Sequence, residues 1–79
     1  MTIHTIPESV RNSDIEYCIN EYVRQIEYRE ILRKHWFEGA TLQSLALDYG
    51  KSLTAVKHII YDIGDKVLIR ANNIRQILD

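Results

Sequence analysis

The chain has 79 residues, 46% hydrophobic and 27% charged, with a formal net charge of −1. This is enough for one small folded domain, too apolar for a disordered chain, and too near neutral for overall charge to announce a nucleic-acid binder. A single Cys18 excludes an internal disulfide and a multi-cysteine zinc site, and one Pro with three Gly leaves little material for a many-stranded sheet.

Residues 1–12 read as a flexible N-terminal tail, and residues 13–79 as one helical domain. Pro7 discourages helix at Ile6. Ser13 with Glu16 three positions on has the spacing of a capping box. Ile15, Cys18, Ile19, Tyr22 and Val23 then recur at helical spacing, which predicts a first helix from about Asp14 to Arg24. A second apolar face runs through Tyr28, Ile31, Leu32, His35 and Trp36. No strong breaker separates it from the first, so one long helix and two helices both fit. Gly39 ends this stretch, because glycine adopts the left-handed conformation cheaply. Glu27, Glu30 and Glu38 alternate with Arg29, Arg33 and Lys34, reading as a solvated face with helix-spaced pairs such as Glu30–Lys34.

Thr41 is the next N-cap, with Leu42, Leu45, Ala46 and Tyr49 on one face and Gly50 ending that helix. Ser52 caps a longer helix, expected to reach about Ala71, whose apolar positions are Val56, Ile59, Ile60, Ile63, Val67 and Leu68. Gly64 inside it costs about 1 kcal/mol against Ala without breaking it. Asn72–Asn73 is the expected end. Apolar residues here exceed one face, which predicts either packing on the first helix or a homodimer seam.

The stretch 41–62 carries the most information. Two helices cross steeply only if their backbones approach closely and the turn accepts an unusual conformation. Ala46 is small enough for the approach, and Gly50 can take the positive φ. Val56 and Ile59 then face Leu42, Leu45 and Ala46. The expected fold is therefore all-α, a small three- to five-helix bundle containing a helix-turn-helix.

Thr41-Leu42, Leu45, Tyr49-Gly50, Ser52, Val56-Lys57, Ile59 and Lys66-Val67 resemble the C-terminal region 4 of bacterial sigma-70-type factors. Arg29-Glu30-Ile31-Leu32 with Trp36-Phe37 is similar to the helix that precedes that motif. The resemblance covers roughly residues 26–70. It implies a last long helix that reads the major groove of promoter DNA and preceding helices that touch RNA polymerase. It also implies a small regulator of the kind carried by phages and mobile elements. This chain departs from the family in three ways. It lacks the Leu-Pro start, has nothing resembling the region that melts the −10 element, and places Leu53, Thr54 and Ala55 where the family usually carries charge. Lys57, at a position that often touches phosphate, and His58, at a base-reading position, keep a polar donor.

With Val56, Ile59 and Ile63 inward, the residues expected outward are Leu53, Thr54, Ala55, Lys57, His58 and Tyr61. Ser52, Thr54, Lys57, His58 and Tyr61 are the candidate DNA contacts, with Lys51 on phosphate. Thr54 suits a thymine methyl, and His58 a purine edge as donor. The charge sum is +1 over residues 40–70 and −2 over residues 8–38, a slight asymmetry toward DNA. Few phosphate contacts per chain mean weak binding by a monomer, so a homodimer or tethering to polymerase is expected to supply affinity. The competing reading is a bundle that docks on polymerase or on a regulator without touching DNA, and Leu53 at the start of the reading helix speaks for it.

Remaining residues read as structural. Trp36 and Tyr49 are expected in the core, Phe37 in a second core layer or at a partner, and Cys18 as an inert apolar residue. His4, His35 and His58 are too scattered for a metal site, and no cofactor is expected. No nucleophile–base pair, phosphate loop or paired carboxylate is present, so an enzyme is not expected. No apolar run approaches the roughly 18 residues that cross a bilayer. The N-terminus lacks the basic start and apolar stretch of a signal peptide, so a cytoplasmic setting is expected.

Overall fold

A computed structural model describes residues 10–78, and the side chains of residues 10–74. The chain is all-α, with no strand among the described residues. Helices α1 (Asn12–Tyr22), α2 (Ile26–Glu38), α3 (Leu42–Asp48) and α4 (Leu53–His58) are followed by a π turn over Ile59–Ile63 and by α5 (Gly64–Leu78).

Helix α1 begins before the expected cap. Arg11 is its N-cap, in extended conformation, and the Asp14 carboxylate reaches back to accept from the Arg11 backbone N–H at 3.2 Å. Asp14 therefore does the work assigned to Glu16, which turns instead toward α2 and accepts from Arg33 Nε at 3.0 and 3.1 Å. Of the tail expected over residues 1–12, residues 1–9 lie outside the described residues. Val10 is buried in the core.

The open question over 14–38 resolves as two helices. Val23 and Gln25 are extended, and the Val23 side chain is buried. Arg29, one turn into α2, donates to the carbonyls of Val23 and Asn20 and so caps the last turn of α1 with a cation, which also suits the helix dipole. Arg29 and Arg33 thus tie two helices together rather than lining a solvated face. The expected Glu30–Lys34 pair gives way to Tyr49, whose hydroxyl donates to Glu30 Oε2 at 3.3 Å while Lys34 lies 5.0 Å from its ring centroid. That partner holds the Lys34 ammonium above its ordinary pKa.

Gly39 ends α2 at φ 73°, the Ala40 N–H donates to the Lys34 carbonyl at 3.0 Å, and His35 Nδ1 lies 2.9 Å from the Ala40 carbonyl. Both later caps are as expected: Thr41 Oγ1 accepts from the Ser44 N–H and Ser52 Oγ from the Ala55 N–H, each at 3.1 Å.

From Leu53 to Leu78 the chain is continuously helical. At 1.5 Å per residue it spans about 39 Å, the whole of the molecule's 40 Å long axis. Asn72 and Asn73 do not end it. The other helices pack along this spine, α3 against α4, α2 against the π turn, and α1 against α5. Val67, Leu68 and Ala71 are buried, so α1 takes up much of the apolar surplus.

At the π turn the Gly64 N–H donates to the Ile59 carbonyl, five residues back. Ile59 and Ile60 are both buried there, under one widened turn. Gly64 faces α2: a Cβ on it would lie 3.0 Å from Trp36 Cζ2 and 3.3 Å from Leu32 Cδ2. The missing side chain lets α2 approach. Around this crossing Ile15, Cys18, Ile19, Ile31, Leu32, Leu45 and Val56 form the core, with Trp36, Phe37 and Tyr49 half-buried against it.

Candidate functional site

The turn between α3 and α4 is short because Gly50 carries a φ of 62°. The Lys51 N–H donates to the Ala46 carbonyl at 2.9 Å, which folds the chain back over the end of α3. Leu45 and Val56 are fully buried where α3 crosses α4. The expected two helices across a glycine turn are therefore present, and residues 42–61 are not one rod.

Packing inward at Val56 and Ile59 leaves one side of α4 on the surface. Ser52, Leu53, Thr54, Lys57 and His58 are exposed, and Tyr61 is 38% exposed. Thr54, Lys57, His58 and Tyr61 follow the spacing that places side chains on one helix face. Ala55 departs from the expectation and is half-buried. Ser52 stands at the edge of this surface with its Oγ already engaged as a cap.

Two candidates come with acidic partners. Lys51 Nζ lies 2.9 Å from Glu27 Oε1 and 5.7 Å from the Tyr28 ring centroid. The Glu27 carboxylate raises the Lys51 pKa above its ordinary value. Lys51 thus fastens the turn to the start of α2, and it meets a phosphate only by leaving that pair. His58 Nδ1 lies 2.6 Å from Asp62 Oδ2, one turn along the spine. The His58–Asp62 spacing is readable in the sequence as an i,i+4 pair. Glu27 and Lys51 stand 24 positions apart, and nothing local signals their meeting. Asp65, counted among the charges of this half, is buried.

Two apolar side chains border the same region. Leu47, near the end of α3, is 83% exposed, and Leu53 is 37% exposed. At the other end of the spine, Ser13, Asp14, Tyr17, Tyr22 and Ile74 line an open groove of about 550 Å³, with the Arg70 guanidinium 4.2 Å from the Tyr22 ring centroid. Ile74 is about 25 Å along the helix from Lys57, so the groove is separate from the α4 surface. No group of metal-binding side chains occurs among the described residues, and no described helix is long and apolar enough to cross a membrane.

Comparison with protein-family models, curated proteins and solved structures finds no match to this chain.

Proposed function

We propose that the α3–α4 pair is a DNA-binding helix-turn-helix, and that the chain is a transcriptional regulator acting in the manner of sigma region 4. The observation that carries this reading is the exposed stripe of Thr54, Lys57, His58 and Tyr61 on a helix whose opposite side is locked into the core. An α-helix fits the major groove, and a stripe of hydroxyl, ammonium and imidazole groups offers donors and acceptors to base edges and phosphates. Lys57 is the main exposed cation of the stripe. Each phosphate contact contributes close to one unit of salt slope, so a single chain binds weakly and shallowly in salt. Polymerase as a tether, or a second copy on an adjacent major groove, completes the reading.

The test is a gel shift on genomic fragments at low salt, followed by salt titration. Wild-type protein shifts a subset of fragments, and the K57A/H58A double variant shifts none while melting at an unchanged temperature. Undiminished binding by that variant refutes the assignment of this surface.

A second reading is favoured by Leu47, which stands almost fully in solvent near the end of α3, by Leu53, exposed at the start of α4, and by the carboxylates on Lys51 and His58. In it the same face docks on polymerase or on another regulator. Absence of any shift at low salt selects this reading.

A further inference from the structure

We propose that Asp62 is a positioning residue that sets the base preference of His58; the proposal rests on the DNA-binding reading above. The two side chains are 62% and 64% exposed and meet at 2.6 Å through His58 Nδ1 and Asp62 Oδ2. An ionised carboxylate only accepts hydrogen bonds. The single ring hydrogen of a neutral His58 therefore sits on Nδ1. Nε2, on the far side of the ring, is left with a lone pair and accepts.

This reverses the role expected from sequence, in which His58 donates to a purine edge. In the major groove the donors are the amino groups of adenine (N6) and cytosine (N4). Guanine offers the acceptors N7 and O6. A neutral imidazole held by Asp62 accepts from adenine or cytosine and sets lone pair against lone pair at guanine. Without Asp62 the ring is free to carry its hydrogen on Nε2 and donate to guanine. Asp62 touches no base in this scheme. It acts by fixing a tautomer, as an orienting carboxylate does for other histidines.

The experiment has two arms, both on the full chain. In the first, long-range ¹H–¹⁵N correlation spectra of the imidazole are recorded at a pH alkaline enough that the spectra themselves show a single ring hydrogen. Wild type shows the Nδ1–H form at His58, and Asp62→Ala, which removes the acceptor, moves the population toward Nε2–H. In the second, both proteins select duplexes from a randomised pool at low salt and at that same pH. Wild type selects adenine or cytosine over guanine at one position by roughly fivefold, the ratio given by one hydrogen bond of about 1 kcal/mol. Asp62→Ala accepts guanine there, and His58→Ala loses the preference at that position alone. Removal of the Asp62 charge by itself raises affinity for every sequence alike, so the changed preference is the diagnostic readout.

An Nε2–H tautomer in wild type, or an unchanged base preference in Asp62→Ala, overturns the proposal while leaving DNA binding intact. Failure of the wild type to select any duplex overturns the DNA-binding reading, and this proposal with it.

Discussion

Gly64→Ala sets two effects of known sign against each other. A glycine inside a helix is less favourable than alanine by about 1 kcal/mol, so the substitution should stabilise an isolated helix by that amount. In the folded chain the new methyl would sit 3.0 Å from Trp36 Cζ2, 3.3 Å from Leu32 Cδ2 and 3.5 Å from Trp36 Cη2. Overpacking a filled core typically costs about 1–3 kcal/mol. A rigid indole, half-buried against the core, has little freedom to retreat, which puts the cost in the upper part of that range. The net expectation is a destabilisation of about 1–2 kcal/mol, read as a fall in melting temperature of roughly 4–16 °C for a domain of this size. Thermal and urea unfolding followed by far-UV circular dichroism measure it. Trp36→Phe removes both crowding ring atoms, so in that background Gly64→Ala should change sign and stabilise by up to about 1 kcal/mol. If Gly64→Ala raises the melting temperature in the wild-type background, α2 does not approach the spine as described.

Gly50→Ala, at φ 62° with nothing within 4 Å of the added Cβ, should cost about 1–2 kcal/mol of stability through backbone conformation alone, and Gly50→Asn should recover part of it in urea unfolding. Glu16→Gln, which weakens the partly exposed pair to Arg33, should lower stability by about 0.2–1 kcal/mol, and a double-mutant cycle with Arg33→Met in low and high salt should show the coupling shrink as salt rises. Cys18 is fully buried, and burial pushes its thiol pKa upward. The folded state therefore holds that proton longer than the unfolded state does, so the thiol's stabilising contribution is present below the ordinary value of 9.0 and lost as pH rises past it. Cys18→Ala should flatten this decline in a pH series of unfolding curves, and a thiol reagent should label native wild type only as fast as the chain opens.

The caps at Thr41 and Ser52, the stop at Gly39, the turn at Gly50 and most of the inward-facing residues were legible in the residues themselves, Tyr22 being an exception that is exposed. Each is a local matter, involving a side-chain oxygen three residues from an orphan amide, a glycine where φ must be positive, or an apolar period of 3.6. The outward stripe on α4 followed from the same period. What Asp14, Arg29 and Lys51 do was not legible. Asp14 and Glu16 both stand near the start of α1, and only the position of Arg33 decided which one capped the helix. The break at Val23 had no breaker in the sequence, because it comes from burying that side chain while Arg29 caps the carbonyls behind it. Asn72 and Asn73 signalled an end that packing of α5 along α1 overrode.

The sequence alone determined that this chain is helical, that Thr41 and Ser52 start helices and Gly39 and Gly50 end them, and which residues of α4 face away from the core, since those depend on interactions within one or two turns. Only the tertiary structure decided that Gly64 admits α2, that Lys51 belongs to Glu27, and that the last helix runs on past Asn72 and Asn73. Those outcomes turn on which side chains from distant positions reach the same few ångströms of space, and neither spacing nor propensity encodes that.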